Sequence, residues 1–386
     1  MTPPTHIIDP DGEVIIILRN ANAPFAQPDE DIIAGVASDP LKASDSVQSL
    51  AAEAGRPGAE GISSTATHAP SPIEESSSAS TEEPPAEEQP VEEQAETGSS
   101  PESPDEDCIR IQVSAKHLIF ASSVFKKTLT GGWKESVTYL QKGSVEITAE
   151  GWDLVALLIL LRAIHGQYYS VPRKLTLERL AKVAVLIDYY KCKETMYPLT
   201  DIWLKALEEP IPTTCSRDLI LWLWVSWFFQ LPAQFKKSTS TAMSCSTGWI
   251  SSLGLPISYS VLKSMNDRRQ EAINNLVVLV HETREALLSG SQGCGFECSS
   301  MMYGALSKQM HSSNLLSPRP AAPFPNLIYK DLVQQLLAFK SPRWYGYDSS
   351  SYYDSYSHQC SASSFKSIFR NLDSTVHGLD LESSTV

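Results

Sequence analysis

The residue types most able to do chemistry here are thiols and an imidazole. Cys294 and Cys298 enclose three residues, and His358 and Cys360 enclose one. Two thiolates at the first spacing can grip one side of a tetrahedral zinc ion, and the His358/Cys360 pair could close the other side across a long loop. The spacing is looser than that of common zinc modules, and buried cysteines also serve as small hydrophobes, so packing or loop thiols are the competing reading. No other metal or cofactor set stands out. The glycines of Gly290-Ser-Gln-Gly293-Cys-Gly295 have the dinucleotide spacing reversed and no strand before them, which reads as a loop. The chain has no Walker A loop, no HExxH and no GxSxG, so the expectation is a protein that is not an enzyme. His165 and His281 lie in apolar helical stretches, where lone histidines are usually satisfied core or rim residues. The run Trp222, Trp224, Trp227, Phe228, Phe229 could dock a partner, but apolar residues all round a helix favour burial.

Positioning these residues calls for two kinds of element. Residues 13–18 (EVIIIL) read as a buried strand and 109–113 (IRIQV) as a half-buried one, with a third candidate at 144–148 (SVEIT). Helical periodicity covers 116–121, then a short helix to about 129 with Ser122 as its N-cap, closed by Gly131-Gly132. Further helices are expected at 151–164, 176–191 and 194–207, then at 217–231, 260–288, 300–311 and 329–339. Residues 341–361 read as a Ser/Tyr-rich loop, and the last ten or so should fray.

Charge is distributed unevenly. Lys plus Arg number 31 against 45 for Asp plus Glu, a net of −14. Residues 26–107 hold 20 acids, two bases, ten prolines and no Phe, Tyr or Trp, so that segment alone carries −18 and the other 304 residues +4. Such a stretch cannot bury enough apolar surface to offset its ordering entropy, and a disordered acidic insertion is expected. It could recruit a basic partner, and its serine runs could accept phosphate, but a solvated linker is the default. Because loop-closure entropy grows only logarithmically with length, the strands on either side can still belong to one sheet. The balance is the wrong sign for coating nucleic acid. The most apolar run, residues 219–229, is 11 residues against about 20 for a membrane-spanning helix, so no membrane partner is expected. Seven dispersed cysteines behind an amino terminus with no visible export signal suggest reduced thiols, in the cytoplasm or nucleus.

Four blocks in register resemble the BTB/POZ domain, in particular its filamentous-fungal branch: HLIFASSVFKKTLTGGWKES (117–136), SVEIT (144–148), LLILLRAIHGQYYSVP (157–172) and LTLERLAKVAVLIDYYKC (175–192). The resemblance implies an α+β BTB/POZ domain over 6–25 and 108–208 with the acidic insertion 26–107 after its first strand. An α-helical domain at 209–340 and a Ser/Tyr-rich loop and tail at 341–386 would follow. Leu118 and Phe125 match family core residues. Ser114 stands where a histidine is frequent, and Glu13 where aspartate is usual. The resemblance also implies protein–protein interaction as the function. Trp133-Lys134-Glu135 stands where a hydrophobic-x-Glu triplet contacts the cullin in adaptors of cullin-RING ubiquitin ligases, which makes Trp133 and Glu135 the candidate partner-binding residues. In that case the helical part would hold a client. The alternative is a homo-oligomeric BTB scaffold with no ubiquitin role.

Overall fold

The computed structural model describes residues 3–27, 108–347, 355–358 and 364–381; the expected insertion lies almost entirely outside them. The described chain is a mixed α+β structure whose four-stranded sheet has the order β1 (His6–Ile7), β3 (Ile109–Val113), β2 (Val14–Arg19), β4 (Val145–Glu150). The strands on either side of the acidic segment do pair, but the segment follows the second strand rather than the first, because the two-residue β1 precedes β2 and adds to the sheet beside β3. β2 runs antiparallel to β3, with Val14 opposite Val113 and Leu18 opposite Ile109, and parallel to β4, with Val14 opposite Val145. β2 is nearly continuous in apolar residues because it is buried between two neighbours, whereas β4 alternates at the edge. Arg110 of β3 reaches across β2 to pair with Glu146 of β4.

β3 leads directly into α1 (Ala115–Ala121) and α2 (Ser123–Thr130). Ser122 caps α2 as expected, its Oγ accepting from the Phe125 amide at 3.1 Å while its hydroxyl donates to the Tyr190 carbonyl. Leu118 and Phe125 are both core residues, and the Phe125 ring stacks on Tyr190 at 4.4 Å. A helix not anticipated from the sequence, α3 (Lys134–Lys142), precedes β4. α4 (Leu154–Ile164) is apolar on nearly every side and correspondingly buried. Asp153 caps it through the Ala156 amide at 2.9 Å and pairs with Lys182 at 2.9 Å and with Arg179. Desolvation opposes the charge on Asp153, but that amide and those cations outweigh it and hold the carboxyl below its usual range. α5 (Leu177–Tyr189), capped by Thr176, and α6 (Lys193–Ala206) complete this half.

The second half is helical: α7 (Arg217–Phe228), α8 (Pro232–Cys245), α9 (Tyr259–Leu288), α10 (Phe296–Ser312), α11 (Tyr329–Leu337) and α12 (Phe365–Phe369). α8 was not expected. The aromatic run of α7 is core: Trp222, Trp224 and Phe228 are buried, and the Trp224 indole N–H donates to the Ala181 carbonyl of α5 at 3.2 Å. Arg217 ties the same junction, donating to the carbonyls of Phe25 at 2.9 Å and Ala26 at 3.1 Å and pairing with Glu178 at 3.2 Å. One hydrophobic core therefore runs across residue 208.

Two expectations about the carboxy-terminal end are corrected. The stretch read as a loop from 341 carries an antiparallel hairpin, β5 (Trp344–Tyr347) and β6 (Ser355–His358). The tail through 381 is packed rather than frayed: the Leu379 amide donates to Thr239 Oγ1 at 2.9 Å, and the Val376 amide to Ser244 Oγ at 2.8 Å. At Gly378 a Cβ would stand 1.9 Å from the Lys236 carbonyl oxygen, so only glycine lets the tail lie this close to α8.

Candidate partner-binding surface

Trp133 is the N-cap residue of α3, in an extended conformation just after the Gly131-Gly132 turn. The turn shapes the site. A Cβ on Gly131 would lie 2.4 Å from the Lys127 carbonyl oxygen and 3.1 Å from Cδ1 of Trp133, so glycine both closes α2 and leaves room for the indole beside it. α3 itself is fixed at both ends by charge: Glu135 in the first turn and Lys142 in the last complement the helix dipole, and Gly143, at φ 70°, ends it. Ser136 is its buried residue, with the hydroxyl bonded to the Trp133 carbonyl at 2.9 Å.

The outward side carries a stripe. Trp133, Val137 and Leu140 recur at i, i+4 and i+7, which puts them on one helical face, and their exposures are 37%, 43% and 77%. Phe120 on α1 is 89% exposed. Over residues 116–142 five lysines, Lys116, Lys126, Lys127, Lys134 and Lys142, are exposed, against the single acid Glu135. None of the five belongs to an ion pair among the described residues. The arrangement can hold an apolar anchor and attract carboxylates around it. Glu135 is half-buried and lies on the other side of α3 from the stripe, so it is less free to meet a partner than Trp133.

The proposed zinc set is not assembled among the described residues. Cys298 is buried on α10 and Cys294 is exposed in the loop before it. Cys360 and the His358 side chain lie outside the described residues, and no group of three metal-ligating side chains occurs within them.

Both histidines are satisfied. His165 accepts the Ser114 amide on Nε2 at 3.0 Å and donates from Nδ1 to the Leu161 carbonyl at 2.7 Å, which fixes the neutral ring in one tautomer. It thus fills the need created by Ser114 at the start of α1. His281 Nε2 donates to the Leu315 carbonyl at 2.8 Å.

Known families and curated proteins were compared with the chain. None matches it. No helix among the described residues is long and apolar enough to cross a membrane.

What sequence reasoning missed is Arg269, buried to 1% exposure, whose guanidinium donates to the carbonyls of Ser246 at 3.4 Å, Pro323 at 3.3 Å, Phe324 at 3.3 Å and Leu327 at 2.8 Å. Its signal was available, since Met265, Arg269 and Ile273 recur at four-residue spacing on the buried side of α9.

Proposed function

We propose that this chain is a protein–protein interaction module of the BTB/POZ type, acting as a substrate adaptor for a cullin-RING ubiquitin ligase. The observation that carries the reading is the exposed Trp133 at the head of α3, continued by Val137 and Leu140 along one face. An anchor buried in its own core could not fill a partner's pocket. An exposed aromatic beside further apolar side chains is how a small interface concentrates its binding energy. In this reading the cullin docks on α3 through Trp133, Val137 and Leu140, with Glu135 behind them on the far side of the helix, and the helices after residue 208 hold the client. The chain supplies contacts and no catalytic group.

The test is direct binding of the full-length chain to its own organism's cullin, read by calorimetry at micromolar concentrations. Binding supports the adaptor. Its absence leaves the second reading, a homo-oligomeric scaffold, which the almost fully exposed Phe120 of α1 favours. Light scattering on the same sample reads that state: a mass that is a multiple of the monomer supports self-association.

A further inference from the structure

Cys215 and Cys245 are free thiols used by neither the core nor the α3 surface. They belong to adjoining ends of an antiparallel helix pair: Cys215 stands two residues before α7 begins, and Cys245 is the last residue of α8. The Cys245 Sγ–H donates to the Thr213 carbonyl at 3.6 Å, so α8 ends against the segment that leads to Cys215. Residues two apart are separated by at most about 7 Å between Cα atoms, and a disulfide spans Cα separations of about 4.4–6.8 Å.

Arg269 joins the two sites. It donates from Nε to the carbonyl of Ser246, the neighbour of Cys245, at 3.4 Å, and its charge acts on the Cys215 thiol. Partial desolvation and the neighbouring Cys245 raise the Cys215 thiol, and Arg269 opposes that rise. Burial also raises Cys245, with Lys330 opposing and Asp331 adding to the shift. Cys215 is the exposed member and Cys245 the partly covered one. Cys192, by contrast, is a core thiol, buried and pushed up to about 12 by desolvation, which leaves it inert.

We propose that Cys215 and Cys245 form a dithiol that glutathione disulfide converts reversibly into an intramolecular disulfide tying α7 to α8. The exposed Cys215 meets the oxidant first. Its thiolate attacks one sulfur of glutathione disulfide, the S–S bond breaks, and glutathione thiolate leaves and takes up the proton that Cys215 lost. The Cys245 thiolate then attacks the Cys215 sulfur of the mixed disulfide and expels a second glutathione, which takes the second proton. Two electrons pass from the protein thiols to glutathione disulfide, and the products are one protein disulfide and two glutathiones. A reducing glutathione pool reverses both steps.

The experiment equilibrates full-length protein with glutathione disulfide, quenches it in acid, alkylates the remaining thiols and maps the peptides by mass. The expected result is a linked pair, one peptide containing Cys215 and the other Cys245, two hydrogen atoms lighter than their sum. Dithiothreitol should abolish it, Cys215→Ser should eliminate it, and Cys108→Ser should leave it intact. In Cys245→Ala the first step should stall, with one glutathione retained on Cys215; circular dichroism verifies that each variant is folded. Recovery of Cys215 and Cys245 as separately alkylated thiols, as separate glutathione adducts, or linked to other cysteines overturns the proposal. So does a folded Cys245→Ala protein with no adduct on Cys215.

Discussion

Phe125 is 2% exposed and lies parallel to Tyr190, which packs against Tyr189 and Trp152 in turn. Truncating it removes a ring from the middle of that cluster and leaves a cavity the backbone cannot close. Phe125→Ala should therefore cost about 3–5 kcal/mol, and a chemical-denaturation curve that does not move would contradict the packing described here. Leu118, Phe125 and the Ser122 cap were legible because each follows from local spacing: a cap three residues before a core aromatic is a pattern one turn long. Arg269 was not legible in that way, because the four carbonyls that satisfy it come from segments up to 58 residues away. His165 lies between these cases. Its satisfied state follows from an apolar helix, but its partner Ser114 is 51 residues distant. Burial lowers its pKa below the ordinary 6.5, the Leu161 carbonyl partly opposes this, and His117 stacked at 4.8 Å lowers it further while Asp9 raises it. The folded ring stays neutral where the unfolded ring already takes a proton. Stability is thus fully present above about pH 6.5 and is lost as pH falls toward the lower folded value. The melting temperature should fall between about pH 7.5 and 5.5, and His165→Gln, which cannot titrate, should flatten that part of the profile. An equally steep profile in the variant would assign the pH dependence to other groups.

At the scale of elements, the three strands around the acidic segment and most of the long helices were legible because period-2 and period-3.6 patterns extend over whole elements. Besides the two-residue β1 and the five-residue α12, too short to show a period, the elements missed are ones whose composition masks their end signals or strand formers. α3 (KESVTYLQK) contains Val, Thr, Ser and Tyr, all modest helix formers, yet Glu135, Lys142 and Gly143 mark its two ends. α8 opens with Pro232 at its first turn, a start signal, but its Ser/Thr-rich interior reads as loop. The β5–β6 hairpin was hidden by serine content even though its aromatics favour strands. α3 matters most, since it carries the exposed stripe on which the proposed docking rests. Because Trp133 stands outside the core at 37% exposure, Trp133→Ala should remove about 2–4 kcal/mol of the proposed cullin binding, a loss of roughly 30- to 1000-fold, with little change in melting temperature. Measured together on one variant, a large fall in melting temperature with unchanged affinity would make Trp133 a packing residue and α3 an ordinary helix.

At the scale of the whole molecule, the charge map and the pairing of β2 with β3 were foreseeable, but the way the two halves meet was not. A boundary between two domains was expected at 208/209, and composition does not say which faces will pack across it. The all-round apolarity of α7 was the available clue: nine of its twelve residues are buried, more than one contact face can cover, so it must be enclosed from more than one side. α5 supplies one of those sides. The Trp224–Ala181 bond and the Arg217 contacts to Glu178, Phe25 and Ala26 join residues on either side of 208 into the same core. Cutting the chain after residue 208 would strip α7 from α5, expose the small-residue face around Ala181 and Ala184, and leave the Phe25 and Ala26 carbonyls without their guanidinium. Burial of several side chains at about 1.5–3 kcal/mol each exceeds what a domain of marginal stability can lose. The full-length chain should therefore melt in one cooperative transition followed by calorimetry, and a fragment of residues 1–208 should be insoluble or lack a cooperative melt. A soluble 1–208 fragment with its own sharp transition, or a two-step melt of the full-length chain, would show instead that the halves fold independently and that the α5–α7 contact is only a docking of finished domains.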